Sequence, residues 1–541
     1  MTSIRFIFKS HLAITFILAF GFLLIFTGLD DSVLQVDEGG DTFISTTILK
    51  YGFPMHSDGL NATMLFADIL DGVFIYRTWV PYYLQSISLY FLGNNTFAAR
   101  LPFAIAGLFS VFCLYHLAVR LTEEKSIAIF SATLLATSVP ALLYFRTSRY
   151  VAIPILLTPM LLIFYIKIFD KKKWNSIPFT ITAIIFFHTM YVEFAGLIMG
   201  MLTHLFLYRK EVEPINLRKI KIPAAITAAL CLPWLLFIPT LSKRIAAFYT
   251  STSPLIDTSY LGYLKNFLGF LFQINNYLFP FILIPFLLLG PLKKFSRPVS
   301  LLVISVFFIL LTASLHSIPL LQYIAACIPI FFLLLGWLVF YLFNGFIIKQ
   351  YIFLGFLIFS NFIHIGPLFP IKQILPIPQT EVQTHLYLHG IHKTFKREIQ
   401  FKSIFFQYWR ELANPYQGPL DKIVKFFETH GKKEETCYID NELESLTFYT
   451  GFKMIHNKEL SMKSKPDWIV LRGDQWDINS TKLTSPLKAK LKFILENNEY
   501  EKIVLDAPVK RINNSYEIQI HLFQAQSSAD KVSIFHRSGI I

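Results

Sequence analysis

PLLQYIAACIPIFFLLLGWLVFYLF, residues 319–343, runs for twenty-five positions without one charged side chain. About 20 such residues, wound as a helix, cross a hydrocarbon core of roughly 30 Å. Stretches of the same kind recur on the N-terminal side and once after it, at 10–29, 97–119, 126–145, 151–169, 174–189, 191–207, 222–241, 264–290, 299–315 and 350–369, which predicts about 11 transmembrane helices. Pro280 and Pro285 fall inside the longest, so a tilt or kink is expected there. Composition agrees: 54% of residues are hydrophobic, 16% are charged and mean hydropathy is +0.51, far from an ordinary soluble domain. Arg5 and Lys9 precede the first stretch as they would in a signal peptide, but no A-x-A-like cleavage site follows, so it is read as a span.

Charge between the spans sets the orientation, because short cytoplasmic loops collect Lys and Arg. With the N-terminus cytoplasmic, the even-numbered loops are the basic ones: Arg120 and Lys125; Lys171, Lys172 and Lys173; Arg209, Lys210, Arg218, Lys219 and Lys221; Lys293, Lys294 and Arg297; then Lys349. The first loop on the other side is acidic, with Asp30, Asp31, Asp37, Glu38, Asp41, Asp58, Asp68 and Asp71. An odd number of spans places everything after Phe369 outside. The net charge of +14 is therefore a topology signal, and no patterned basic and aromatic surface points to nucleic acid.

That first outer loop, residues 30–96, is too long and too patterned for a connector. Thr42 to Tyr51 has apolar residues at helical spacing, and Ile75 to Leu92 carries Trp79, Tyr82, Tyr83, Tyr90 and Phe91 with few charges. Both read as interfacial helices. Taking the second as a span would reverse every later loop and break the charge pattern.

Polar side chains at the span ends gather on the outer side: Asp37 and Glu38, Arg146 and Arg149, His188 and Glu193, and His316. Ionisable groups at membrane depth are costly and point to function. Lipid-facing arginines that reach for headgroups and a hydrogen-bonded bundle histidine are the plainer readings of Arg146, Arg149 and His188. The chemical reading is group transfer from a lipid phosphate: a carboxylate takes the proton of an attacking hydroxyl, and guanidinium groups hold the phosphate left behind. The same residues would serve a secondary transporter, the alternative function, although no convincing internal repeat is seen. No Gly-rich phosphate loop, HExxH helix or paired CxxC is present. Cys113, Cys231 and Cys327 lie within spans, and Cys437 stands alone in the C-terminal region.

Five stretches, in order, resemble the GT-C glycosyltransferases, in particular bacterial relatives of protein O-mannosyltransferases and of the lipid A aminoarabinose transferase: QVDEGGDTFISTTILKYGFP (35–54), YRTWVPYYLQSISLYFLGNNTFAARLPFAIAGL (76–108), YFRTSRYVAIP (144–154), FFHTMYVEFAGL (186–197) and HSIPLLQYIAACIPIFFLLLG (316–336). The resemblance implies a GT-C-like polytopic fold, a polyprenyl-phosphate-linked sugar donor, and a lipid, glycan or protein acceptor at the outer face of the bacterial inner membrane. It implies Asp37 as the catalytic carboxylate with Glu38 beside it, and donor or sugar contacts at Arg146, Arg149, His188 and Tyr82. A divalent metal is left open. Three places depart from the family pattern: Gly39 and Gly40 stand where a helix usually starts, Trp79-Val80-Pro81 replaces a lysine-proline or double proline, and Leu321-Gln322-Tyr323 replaces an arginine-tyrosine pair.

After Pro367, Pro370, Pro376 and Pro378 the composition turns polar, which sets a domain boundary near 370. PLDKIVKFFETHG reads as a helix ended by Gly431, ETCYID as a strand, LESLTFYTG as a helix ended by Gly451, and DWIVLR as a buried strand. Residues 1–369 are thus expected to form the transmembrane glycosyltransferase domain and 370–541 a soluble extracytoplasmic α/β domain, with acceptor docking or covering of the membrane site as its expected role.

Overall fold

The computed structural model describes residues 2–63, 72–170, 174–236, 260–289, 296–316, 319–360, 362–364, 403–415, 418–439, 442–457, 459–472, 485–506 and 531–537. The expected boundary near 370, Lys171 to Lys173, Lys293, Lys294, Asp68 and Asp71 lie outside them. The chain is a polytopic α-helical membrane protein with a small sheet near its C-terminus.

Each of the eleven apolar stretches contains helix. In chain order they give α1 (Thr2–Phe26), then, after two helices of the first loop, α2 (Val36–Tyr51) and α3 (Val80–Leu92), α4 (Thr96–Thr122), α5 (Lys125–Thr137) and α6 (Val139–Phe145). Next come α7 (Ala152–Ile166), α8 (Ile177–Phe187), α9 (Tyr191–Tyr208), α10 (Pro214–Lys219), α11 (Lys221–Leu235), α12 (Tyr260–Tyr277), α13 (Ile284–Leu289), α14 (Arg297–Ala313), α15 (Ile328–Leu342) and α16 (Ile347–Phe359). Among the described residues, four helical stretches are long and apolar enough to cross a bilayer: Thr96–Thr122, Ala152–Phe169, Tyr191–Glu211 and Leu321–Leu342. Two apolar helix pairs pass the same test only together and are bent, α5 with α6 at 63° and α12 with the helix after it at 86°. The second break falls at Pro280, which has no amide hydrogen to continue the ladder. Leu12–Phe26, Ile177–Phe187, Arg297–Ala313 and Ile347–Phe359 are shorter apolar helices.

α15 is the axis of the bundle: every residue from Ile328 to Val339 is buried. A helix that is apolar all round belongs at the centre, where no face meets water or headgroups. α9 and α14 pack most intimately, because the GLIMG stretch, residues 196–200, removes two side chains from the seam. A Cβ on Gly196 would stand 2.6 Å from the Ile309 Cα, and one on Gly200 2.7 Å from the Ser305 Cα. Small residues four apart let membrane helices approach this closely, where packing rather than hydrophobic burial drives association.

Helix α17 (Ile404–Ala413) returns to the bundle, where Ile404, Phe405 and Tyr408 join the membrane core and the Tyr408 hydroxyl donates to the Leu24 carbonyl at 2.5 Å. The chain then builds α18 (Pro419–His430), β1 (Thr436–Tyr438), α19 (Leu443–Thr450), β2 (Lys453–Met454), β3 (Trp468–Arg472), α20 (Ser485–Glu496), β4 (Tyr500–Asp506) and β5 (Lys531–Arg537). The sheet order is β2-β1-β3-β5-β4, with β1 parallel to both neighbours and β5 antiparallel to β3 and β4. Leu420, Ile423 and Phe427 of α18 cover one face with Leu446 of α19, Trp468 and Ile534. Apolar residues at i, i+3 and i+7 make that helix face.

Candidate active site

α2 carries the acidic motif. The Gln35 amide donates to Oε2 of Glu38 at 3.1 Å, closing a capping arrangement around the first turn. Carboxylates are favoured there because the unpaired amides of a helix N-terminus carry partial positive charge. Gly39 and Gly40 lie inside this helix, so the double glycine does not displace its start. At 3.6 residues per turn Asp37 and Asp41 share one face, and Glu38 turns to another.

On the Glu38 face, Arg100 of α4 donates from Nε to Oε1 and from Nη2 to Oε2, both at 2.9 Å, and the Ser148 amide reaches Oε1 at 2.7 Å. The remaining Arg100 donors bind the carbonyls of Leu29, Ser32 and Val33 at 2.9, 3.0 and 3.2 Å. Burial alone would raise the Glu38 pKa, but the Arg100 charge and the hydrogen bonds from Arg100, Ser148 and Gln35 outweigh it and hold it below the ordinary carboxylate value. Glu38 is therefore committed to fastening α2, α4 and the 146–150 turn together.

The other face is built differently. Arg149 forms an ion pair with Asp37 through Nη1, and its Nε lies 3.7 Å from Oδ2 of Asp41. Arg77 donates to Oδ1 of Asp41 at 2.7 Å, and the Tyr82 hydroxyl donates to the same oxygen at 3.2 Å. Burial first, then the Asp41 charge, pushes the Tyr82 phenol well above its ordinary pKa, so it stays protonated and donates. The Arg77 guanidinium lies over Tyr76 and Tyr150, 5.4 and 5.6 Å from the ring centres, and Arg149 over Tyr150 at 5.8 Å. Asp37 keeps 24% of its side chain exposed, against 4% for Glu38 and 5% for Asp41. It is the most exposed of the three carboxylates.

Gln85 of α3 sets this face. Its amide nitrogen donates to the Thr42 hydroxyl at 2.7 Å and to Ser148, and its oxygen accepts from Ser45 at 2.6 Å. The interfacial helix, the acidic helix and the arginine turn are thus cross-linked by one buried side chain.

The remaining expected residues have other partners. Arg146 caps α1, donating to the carbonyls of Ile25, Thr27 and Gly28 at 2.8, 2.6 and 2.7 Å. A cation suits a helix C-terminus, where free carbonyls and the negative dipole end coincide. His188 bonds the Leu230 carbonyl at 3.1 Å and faces Trp234, while its neighbour Thr189 lines the recess beside Asp41 and Arg149. Glu193 accepts the amides of Ala325 and Ala326 at 2.9 and 3.3 Å. His316 stacks on Tyr323 at 4.0 Å. Asp41, Arg77, Arg100 and Gln85 were not singled out from the sequence. The i, i+4 spacing of Asp37 and Asp41 was the available signal for the first; nothing local marks the others. Among the described residues no group of three or more His, Cys, Asp or Glu gathers as a metal would need, and Asp37 and Asp41 are both held by arginines.

The C-terminal region packs on α2 and the first loop. A Cβ on Gly39 would lie 2.6 Å from the Ser445 amide nitrogen and 2.8 Å from its Cα, so only glycine lets α19 rest on α2. The Ser445 hydroxyl donates to the Gln35 carbonyl at 3.1 Å, the Leu34 amide to Tyr449 at 2.8 Å, and the Val33 amide to Asp421 at 2.8 Å. Asn61 of the first loop pairs with the backbone of Phe452 and Met454 at 2.9 and 2.7 Å.

Residues 77–237 match the family model of dolichyl-phosphate-mannose-protein mannosyltransferases. Comparison of the sequence with curated proteins finds no match. Among solved structures, ArnT from Cupriavidus metallidurans is similar in its complex with undecaprenyl phosphate, at 13% identity and a TM-score of 0.47 over 86% of this chain and 93% of that one. Its apo state gives 13% and 0.48 over 84% and 86%. An Archaeoglobus fulgidus oligosaccharyltransferase gives 11% and 0.41 over 86% of this chain and 68% of its own. The family match spans Arg77, Tyr82, Arg100 and Arg149.

Proposed function

We propose that the protein transfers one sugar from a polyprenyl-phosphate donor to an acceptor hydroxyl or amine on a lipid, glycan or protein, at the outer face of a bacterial inner membrane. One observation carries this reading: Asp37, the exposed carboxylate of the acidic helix, is paired with the buried Arg149 beside Asp41 and Arg77. The matched family is named for dolichyl-phosphate mannose, a sugar on an isoprenoid phosphate, and its model spans both arginines. The outer-face assignment rests on Arg120, Arg209 and Arg297, which collect at the end of the bundle away from Asp37.

The acceptor oxygen or nitrogen attacks the anomeric carbon while the bond from that carbon to the phosphate oxygen breaks, and the electron pair leaves with the phosphate. Asp37 accepts the acceptor's proton. Arg77 and Arg149 exchange carboxylate for phosphate oxygens and stabilise the charge that develops there. Arg100 and Glu38 take no part in the transfer and hold α2 in register.

Transfer of radiolabelled sugar from polyprenyl-phosphate donors to membrane extracts tests the assignment. Asp37→Asn loses roughly 10²–10⁴ of the rate, the range for a positioned general base. A variant as active as wild type removes Asp37 from the chemistry; a wild-type chain that transfers nothing but carries solute into proteoliposomes makes it a transporter.

A further inference from the structure

The end of the bundle away from Asp37 holds a recess of about 990 Å³ between the last turns of α4, α7 and α9 and the first turn of α14. Its depth is apolar, with Phe112, Cys113, Ile163 and Leu301, and its rim is charged, with Arg120, Glu123, Asp170 and Arg297. On α4 the change runs along one stripe: Phe112, His116 and Arg120 are spaced i, i+4, i+8, about 12 Å from hydrocarbon depth to headgroup level. His204, buried in the wall, donates from Nε2 to the Arg297 carbonyl at 3.1 Å and shares a hydrogen bond with the Tyr165 hydroxyl at 2.7 Å, which fixes the N-terminus of α14 at the rim. The rim cations are only loosely held: Arg120 pairs with Asp170 and Arg297 with Glu211, all four side chains at least 39% exposed.

We propose that this recess binds a membrane glycerophospholipid with an ethanolamine headgroup. An interhelical recess that is oily at depth and charged at its mouth takes an amphiphile. Among the described residues two cations and two anions line the rim in equal number, so a headgroup with one charge of each sign fits better than a purely anionic one. The phosphate goes to Arg120 and Arg297, and the ammonium to Asp170 and Glu123. A choline headgroup has no N–H to donate to those carboxylates, and the aromatic face that could hold its cation is taken, since Arg297 sits over Phe169 at 4.7 Å.

Cys113 is a free thiol on the wall, which allows a test on the unaltered chain. The purified protein in detergent is treated with a maleimide and Cys113 modification is read by peptide mass spectrometry. Added phosphatidylethanolamine at about ten times its dissociation constant slows labelling about tenfold; phosphatidylcholine, phosphatidylglycerol and soluble glycerophosphoethanolamine do not. Native mass spectrometry then shows the ethanolamine lipid retained by wild type and lost from the Arg120→Ala/Arg297→Ala double variant and from Cys113→Trp, which fills the recess. Equal protection by all three lipids, protection by the soluble headgroup, or retention unchanged in the double variant overturns the proposal.

Discussion

The two ends of the bundle use ion pairs in opposite ways. At the α2 end, Glu38 and Arg100 are both buried, Asp41 is buried against Arg77, and Arg149 is buried against Asp37. At the other end Arg120–Asp170 and Arg297–Glu211 lie open, with side chains 39–50% exposed. A buried pair costs desolvation and returns little net stability, but removing one partner strands a charge. An exposed pair is screened and contributes little either way. One end therefore fixes positions to within a hydrogen bond, and the other merely ties together the loops that follow α4, α7 and α9.

The largest expected effect breaks the contrast at its strongest point. Arg100→Ala leaves Glu38 without its cation and is expected to cost ~3–5 kcal/mol, read from unfolding in detergent; a loss under ~1 kcal/mol would erase the distinction between the two ends. Gly39→Val forces α19 off α2. A cost of ~1–3 kcal/mol is expected, with faster proteolysis between residues 403 and 442, and unchanged cleavage would mean that the glycine contact is dispensable. The pH dependence sharpens the comparison. Because Glu38 is held below its ordinary value of 4.5 when folded, its contribution is full above that pH and is lost as pH falls through the folded value. The wild type should thus lose stability on acidification below about 4.5 faster than Glu38→Gln, and parallel curves would show that this carboxylate does not titrate on unfolding. Smallest is Glu211→Gln at the open end, expected to shift stability by about 0–1 kcal/mol; a shift as large as that of Arg100→Ala would make both ends alike.

The sequence is most informative where one physical force dominates. Apolar length marked all eleven helical stretches, because a bilayer tolerates few other solutions, and glycine stops marked the ends of α18 and α19 within a residue. It is least informative about partners. Arg146 and Arg149 stand three residues apart in one polar turn, yet one caps α1 and the other pairs with Asp37. Nothing in YFRTSRY distinguishes them, since the difference lies in where α1 ends. Asp37 and Glu38 are likewise adjacent but pair with Arg149, in the turn between α6 and α7, and with Arg100 of α4. The GLIMG seam was readable as small-xxx-small spacing, whereas the role of Gly39 was not, because the atom it makes room for belongs to Ser445.

That last contact has a consequence for how the protein is made. Gln35, which opens the acidic helix, and Ser445, which bonds it, lie 410 positions apart. At roughly 5–20 residues per second of synthesis, about 20–80 s separate their appearance. Throughout that interval α2 is without α19, and Gly39 and the Leu34 and Val33 amides wait for their partners. The acidic helix reaches its final setting only after nearly the whole chain has been made and its last domain has come to the Asp37 end of the bundle. An unfinished chain thus carries Asp37 and Arg149 without the clamp that seats them.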